Sequence, residues 1–329
     1  MKPTIKDVAK LAHVSTATVS RVLANKKGIT RPETAARIRQ AAHKLGYHKN
    51  VGAAQLAANS NNTIAVIINQ TPTNFWQEIV DGILAQAKKR HQKVIIFSAG
   101  NHNSNQVTET VNDALSRQVA GIILVSAKVN PQQLAILQRS HVPYRFASIY
   151  DVNQAGIIFI SSDNVVIGET ATNYLIRHHH RRIGLVGIDR STTGQQRILG
   201  YQKAMTEAGL IIEPGWIIYG DYSYQNGQEL MDQVHDAGLT AIITGSDMVA
   251  AGLLTRGRKL GIKVPQDLSI VSIDGTFICE ITNPPLTSIT QNFFRMGVES
   301  LNSLLDNEAS TFIPSHLTKR ESVRDNDQK

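Results

Sequence analysis

Residues 4–23, T-I-K-D-V-A-K-L-A-H-V-S-T-A-T-V-S-R-V-L, read as two short helices joined by a tight turn. Ile5, Val8, Ala9, Ala12 and Val14 suit one packed face. After Ser15 as a helix N-cap, Val19, Val22 and Leu23 recur at helical spacing and suit a second. This leaves Thr16, Ala17, Ser20 and Arg21 facing outward. A second helix that starts with small polar residues and carries an arginine one turn on fits a DNA major groove. An ordinary helical hairpin has the same spacing, so the charge distribution has to separate the two.

The chain has 329 residues, with 34 Lys+Arg against 26 Asp+Glu and a formal net charge of +8. Residues 1–60 hold 11 of the basic side chains and only two acids, Asp7 and Glu33. The rest of the chain is therefore close to neutral, and the basic excess sits on a small N-terminal module. That is the footprint of a polyanion-binding head on a neutral body. A membrane surface is the competing polyanion, but these helices lack the large aromatic or leucine-rich face needed to lie in a bilayer. Nucleic acid fits better.

Length and a 42% hydrophobic content permit two or three domains. No apolar run of about 18 residues could span a membrane. The start, M-K-P-T-I-K-D, has no signal-peptide core, so a cytoplasmic protein is expected. Cys279 is the only cysteine, which excludes internal disulfides and cysteine-cluster metal sites; between Ile278 and Ile281 it reads as a plain buried thiol.

A third helix follows the pair. Thr30 and Glu33 have capping-box spacing, Pro32 lies in the first turn and Gly46 supplies the stop. Ala35, Ile38, Ala42 and Leu45 then complete a three-helix core. Residues 50–58 could form about two turns of helix, too few to be stable alone. The polar stretch 59–62 reads as a linker.

From residue 63 the pattern changes to buried strands alternating with amphipathic helices. Strands are expected at 63–68, 93–98, 120–125 and 144–147, then at 157–160, 182–188, 216–219, 240–244 and 268–273. Helical segments at 75–90, 105–117, 164–178, 195–208, 224–237 and 247–260 separate most of them. Continuous Val/Ile runs imply parallel strands covered on both faces. Two series of such units imply two doubly wound lobes facing each other across a cleft, with ligands bound at the carboxyl ends of the strands.

At this point the chain resembles the lactose/galactose repressor (LacI/GalR) family of transcription regulators. The head carries I-K-D-V-A-K-L-A at 5–12, V-S-T-A-T-V-S-R-V-L at 14–23 and R-I-R-Q-A-A-H-K-L-G-Y at 37–47. The body adds Q-R-I-L-G-Y at 196–201, S-D-M-V-A-A-G at 246–252, V-P-Q-D-L-S-I-V-S-I-D at 264–274 and P-P-L-T-S-I-T-Q at 284–291. The likeness runs nearly end to end and in family order.

The resemblance implies an all-α helix-turn-helix headpiece at 1–49 and a hinge helix with linker at 50–62. It implies a body like the periplasmic sugar-binding fold, with one lobe at 63–161 plus 292–319 and the other at 162–291 plus 320–329. It further implies a homodimer on a near-palindromic double-stranded DNA operator, with affinity controlled by a small effector and no cofactor, metal, enzyme activity or membrane role. By match of position, Thr16, Ala17 and Arg21 are expected to reach base edges, while Ser15, Thr18 and Ser20 hold phosphates. Ala53 and Leu56 would lie in the minor groove at the operator centre, with Leu56 as the wedge. Three positions depart from the pattern: His13 replaces a turn glycine, Ala24 an asparagine and Lys49 a proline. Histidine is among the residues that tolerate positive φ, so the turn remains feasible.

The body motifs place Arg197, Tyr222, Ser246, Asp274, Gln291 and Phe293 around the cleft, with Phe75 in the segment 71–76 and Ser148 on the opposite lobe. A carboxylate, a guanidinium, amides and aromatic walls suit a polyhydroxylated ligand. Two of these have plainer readings: Ser246 with Asp247 as a helix cap, and Phe293 as core. Pentoses, hexoses, disaccharides, phosphosugars and bases all stay open as effectors.

Rival readings are a transport-type sugar-binding protein and an enzyme. The basic head speaks against the first. The second finds no G-x-S-x-G, Walker A, G-x-G-x-x-G or H-E-x-x-H pattern. The Gly184, Gly187 and Gly194 spacing is common in strand–helix turns. Consecutive His178, His179 and His180 on a helix point in different directions, so they read as dipole-favourable basic residues at a C-terminus. A global regulator that uses a phosphorylated protein partner stays open within the family. The tail, S-V-R-D-N-D-Q-K, has no leucine heptad, which favours a dimer over a tetramer.

Overall fold

The computed structural model describes residues 3–23, 30–47, 62–69, 71–73, 75–100, 104–150 and 156–326. The chain divides into two compact units, Met1–Asn61 and Asn62–Lys329.

The first unit packs α1 (Ile5–Leu11), α2 (Thr16–Leu23) and α3 (Pro32–Leu45) around Val8, Val19 and Ile38, each fully buried, with Ala9, Ala12, Val22, Ala41 and Ala42. Asp7 accepts from the amide and hydroxyl of Thr4 and so fixes the start of α1. His13 takes the expected left-handed conformation, φ 51°. Arg37 Nε donates to the Ala12 carbonyl at 3.1 Å, tying α3 to the end of α1. The start of α3 differs from expectation. Its N-cap is Arg31, with no side-chain cap bond, and Pro32 opens the helix, so the Thr30–Glu33 capping box does not form. Gly46 ends α3 at φ 61°. Ala24, Lys49, Ala53 and Leu56 lie outside the described residues.

The second unit has two six-stranded sheets. The first comprises β1 (Thr63–Ile68), β2 (Lys93–Ser98), β3 (Gly121–Val125), β4 (Tyr144–Ala147), β5 (Phe159–Ser161) and β11 (Thr311–Phe312), in the order β11-β5-β4-β3-β1-β2, all parallel. It packs against α4 (Trp76–Lys89), α5 (Ser104–Ser116), α6 (Pro131–Arg139) and α12 (Phe293–Asp306). Every residue of β1 is buried, as a central parallel strand requires. The edge strand β2 is not: its residues are exposed or half-buried, and Ile96 is 48% exposed, so a Val/Ile run alone does not show that both faces are covered.

The second sheet comprises β6 (Ile183–Ile188), β7 (Ile217–Tyr219), β8 (Ala241–Thr244), β9 (Ser269–Asp274), β10 (Thr287–Thr290) and β12 (His316–Thr318), in the order β12-β10-β9-β8-β6-β7. Only β12 runs antiparallel. Its helices are α7 (Asn164–Arg177), α8 (Thr192–Glu207), α9 (Tyr224–Asp236), α10 (Asp247–Lys259) and the short α11 (Ile278–Ile281). The chain passes between sheets after β5, after β10 and after β11, so three connections join the lobes. The last segment straps the second lobe: Ser322 Oγ donates to the Ile270 carbonyl, Arg324 N donates to Ser269 Oγ, and Asn326 N donates to the His178 carbonyl.

Candidate functional site: a recognition helix and an interlobe cleft

On the first unit, α2 presents Thr16, Ala17, Ser20 and Arg21 as exposed side chains, while Val19 and Val22 point into the core. Ser15 caps the helix by accepting from Thr18 N at 3.2 Å, and its Oγ lies 2.9 Å from Thr18 Oγ1. These two hydroxyls hold each other, with Ser15 exposed and Thr18 half-buried.

On the second unit, a cavity of about 600 Å³ opens between the lobes at the carboxyl ends of the strands. Arg197 organises its floor from α8. Its Nε donates to Asn164 Oδ1 at 2.9 Å and its Nη1 to the Gly245 carbonyl at 2.8 Å. A fork held at two points leaves Nη2 as the donor for a ligand. The Tyr222 ring lies 6.0 Å from the same guanidinium.

Two carboxyl groups of opposite character share this floor. Asp274 ends β9 and is 5% exposed, and its Oδ1 accepts from Gln291 Nε2 at 2.9 Å. Burial, reinforced by Asp247 and Glu78, pushes its carboxyl well above the usual carboxylate range against the pull of Arg197. Asp189 follows β6. Burial alone would raise it too, but the Ser191 and Tyr222 hydroxyls, the Ser191 amide and Lys128 hold it below the usual range. Tyr222 Oη donates to Asp189 Oδ1 at 2.9 Å. The cleft thus offers two carboxyl groups in opposite environments, one held low by its hydrogen-bond donors and one pushed up by burial, both with oxygens that can accept from hydroxyls.

Three cleft residues hold left-handed backbone: Ser148 at φ 77°, Tyr222 at φ 67° and Asp274 at φ 114°. None is a glycine, so packing must over-determine each. Gly245 shows how for Tyr222. A Cβ there would come 2.5 Å from the Gly187 carbonyl and 2.9 Å from Tyr222 Cε1. Only a bare backbone lets that ring close.

Of the sequence-predicted cleft residues, Phe75, Ser148, Arg197, Tyr222, Asp274 and Gln291 line the cavity. Two do not. Ser246 is 1% exposed and acts as the N-cap of α10, accepting from Val249 N while its Oγ donates to the Tyr222 carbonyl. Phe293 is 2% exposed and stacks on Phe75 with ring centroids 4.7 Å apart, so it is core that supports the aromatic wall. Sequence reasoning missed Lys128, Asn164, Asp189, Ser191 and Thr193. Lys128 reaches across the cleft to within 3.5 Å of Asp189 Oδ2, and Tyr150 Oη donates to Gln196 Oε1 at 3.1 Å, so both contacts join the lobes. Asp189 directly follows Ile188, the end of an expected strand, so applying the carboxyl-end rule to every strand would have flagged it.

The three histidines do not converge. His180 is buried between Thr240 Oγ1 and the Arg324 carbonyl, and burial pulls it down to about 4. Among the described residues no cluster of His, Cys, Asp and Glu could hold a metal ion, and no helix is long and apolar enough to cross a membrane. Cys279 is fully buried against Ser272, and burial pushes its thiol up.

A small basic three-helix unit with an exposed α2, followed by a two-lobed body with a polar cleft, defines a DNA-binding regulator joined to a periplasmic-binding-protein-like domain. Residues 4–50 match the model of the lacI family of bacterial regulatory proteins, and residues 172–323 match a periplasmic binding protein-like domain. The chain is 31% identical over 306 residues to the HTH-type transcriptional repressor CytR of Escherichia coli (strain K12), covering 92% of this chain and 89% of that one. It is 32% identical to the catabolite control protein A of Priestia megaterium, covering 92% of each. A crystal structure of the Lac repressor dimer bound to operator and the anti-inducer ONPF covers 98% of the chain and all of its own, at a TM-score of 0.87 and 25% identity. A transcription regulator from Lactobacillus plantarum is 41% identical over 80% of this chain and 99% of its own, at a TM-score of 0.73. The chain belongs to the lacI family of bacterial transcription regulators.

Proposed function

We propose that the protein is a repressor that binds a near-palindromic operator as a homodimer and is controlled by a small polyhydroxylated effector held between its lobes. The observation that carries the effector half is the floor of the cleft, where Arg197 is anchored at two points to Asn164 and Gly245 beside the carboxyl groups of Asp189 and Asp274, themselves held by Tyr222 and Gln291. An effector shifts DNA affinity only through unequal affinity for two lobe arrangements. The Lys128–Asp189 and Tyr150–Gln196 contacts are groups whose distances would change between such arrangements.

In the DNA half, Thr16, Ala17 and Arg21 read base edges, with Arg21 suited to guanine O6 and N7 and Ala17 to a thymine methyl. Ser15, Thr18 and Ser20 serve phosphates; the Ser15–Thr18 pair would act as a unit. Leu56 wedges a central base step, with Ala53 one turn before it. The family's Lac repressor, a dimer on its operator, supports the dimeric arrangement. The domain limits follow the same reading for the headpiece, 1–49, the hinge, 50–62, and the lobe exchanges after residues 161 and 291; the last exchange, expected after 319, falls instead between Phe312 and His316, because β12 already pairs with β10 of the second sheet. The protein would act in the cytoplasm.

The test is a gel-shift titration on genomic inverted repeats, with and without a sugar and nucleoside panel. Arg21→Ala is expected to weaken operator binding by about 1–3 kcal/mol while affecting random DNA far less. Equal losses on both DNAs would remove the base-reading role.

A further inference from the structure

A chamber of about 360 Å³ lies between the lobes at the start of α4, and four carboxyl groups line it. Glu78 and Asp81, one turn apart on the exposed face of α4, come from the first lobe. Asp247, the first residue of α10, and Asp274, the last of β9, come from the second. The other walls are neutral: among the described residues no Lys, Arg or His lines the space.

The pair on the second lobe is fixed in place. Asp247 is 1% exposed; its Oδ1 accepts from Ser272 Oγ at 2.6 Å, and its Oδ2 accepts from the Thr276 amide at 2.6 Å and the Thr276 hydroxyl at 2.8 Å. Asp274 is held by Gln291 and by its own left-handed backbone. Glu78 and Asp81 stand opposite, on a helix that travels with the first lobe.

The carboxyl groups act on one another across the gap. Partial desolvation, then Asp81 and Asp247, raise Glu78 above its ordinary range. Burial raises Asp274, against the pull of Arg197, and Asp247 and Glu78 add to it. Arg197 of α8 is thus the cation that tempers the group. On α12, which packs against α4, Arg295 pairs with Glu299 at 3.6 Å; on α11, Glu280 meets Arg320 at 3.5 Å. Lys88 and Lys89 lie at the opposite end of α4, with Lys93 at the start of β2, and Arg256, Arg258 and Lys259 lie at the opposite end of α10. The Cys279 thiol, beside Ser272, is pushed up by burial and stays neutral.

Any motion that narrows this chamber crowds like charges together unless one of them takes up a proton. On the reading that lobe closure controls the operator, we propose that closure is proton-linked through these four carboxyl groups. The closer arrangement binds more protons, so it gains as pH falls.

The test needs no effector. Dyes on Glu109→Cys and Gln225→Cys, exposed positions that follow the edge strands β2 and β7, report the lobe separation by fluorescence transfer in the full-length chain. Cys279 is fully buried and escapes labelling, and an excess of unlabelled chain leaves one dye pair per assembly. Lowering the pH from 8 to 5 is expected to raise the ratio of closed to open chains about tenfold, the equivalent of one pKa unit of coupling. Glu78→Gln keeps the size and removes the charge, so it should flatten most of that slope and leave the lobes closer at pH 8. Asp81→Asn should do the same to a smaller extent. Both side chains are exposed, and thermal melting confirms that each variant folds.

A flat profile in the unmodified protein overturns the proton linkage, and so does a slope that Glu78→Gln leaves intact. Either result leaves the effector-controlled repressor standing, since neither ligand nor operator enters the measurement.

Discussion

The two lobes repeat one pattern of parallel strands and covering helices, yet they bring different things to the cleft between them. The second lobe brings fixed polar groups already bonded to one another: Arg197 to Asn164 and Gly245, Asp189 to Ser191 and Tyr222, and Asp274 to Gln291. The first lobe brings Phe75, Ser148 and Ile149, surfaces that cover rather than grip, and among the described residues Lys128 is its one charged group on the cavity. Preorganised polar groups lose little entropy when a ligand arrives. On the proposed reading, the second lobe would set which ligand binds and the first how far the lobes close over it.

That division can be broken by substitution. The largest effect is expected from Arg197→Ala in the second lobe, which also strands the partners of a buried guanidinium. Effector affinity should fall by about 3 kcal/mol, some hundredfold, in calorimetry. A loss under tenfold would show that the second lobe does not dominate recognition.

His180 gives the second lobe a pH response. Its folded pKa of about 4 lies below the ordinary value of 6.5, so the folded state binds its proton more weakly than the unfolded state. The stabilisation is complete above pH 6.5 and is lost as pH falls toward 4. Arg324 and His178 oppose the charged form here, while Asp325 and the Arg324 carbonyl favour it. The loss should amount to about 2–3 kcal/mol. Melting curves of His180→Gln should lack this slope between pH 6.5 and 4.

Phe75→Ala, in the first lobe, removes a ring backed by Phe293 and should weaken effector binding by about 1 kcal/mol. An effect as large as that of Arg197→Ala would erase the distinction between gripping and covering. The smallest change is expected from Lys128→Met. Its pair with Asp189 is partly exposed, with side chains 47% and 26% accessible, so screening keeps its contribution under about 1 kcal/mol. The change in unliganded operator affinity should then be a few-fold at most, and smaller at high salt.

Much of this architecture is legible in the sequence because burial writes itself as pattern. β1 and β2 begin and end where the Val/Ile runs do, and most other elements lie within one residue of expectation. The discrepancies have local causes. α8 begins at Thr192, three residues early, because Ser191 caps a start made of poor helix formers. α6 was not expected, although Asn130 with Gln133 forms a capping box and Pro131 opens the helix. β10, β11 and β12, with sequences T-S-I-T, T-F and H-L-T, contain no Val/Ile run to mark them.

The candidate cleft was less legible than the fold. Arg197 and Asp274 stand inside recognisable motifs, whereas Asp189 and Lys128 follow strands with no motif of their own. Ser246 misled because a hydroxyl that caps a helix and one that meets a ligand look alike in one dimension. Phe293 misled because the aromatic wall is two rings deep and only Phe75 faces the cavity.

The meeting of Gly187, Gly245 and Tyr222 has a practical consequence for anyone recasting this protein as a biosensor. Any added methyl at Gly245 collides with main chain, and one at Gly187 collides with Val249. A mutagenic library aimed at those strand tips would mostly return unfolded clones. Diversity for new analytes belongs instead on the opposite wall, at Ile149, which lines the cavity and does not hold left-handed backbone.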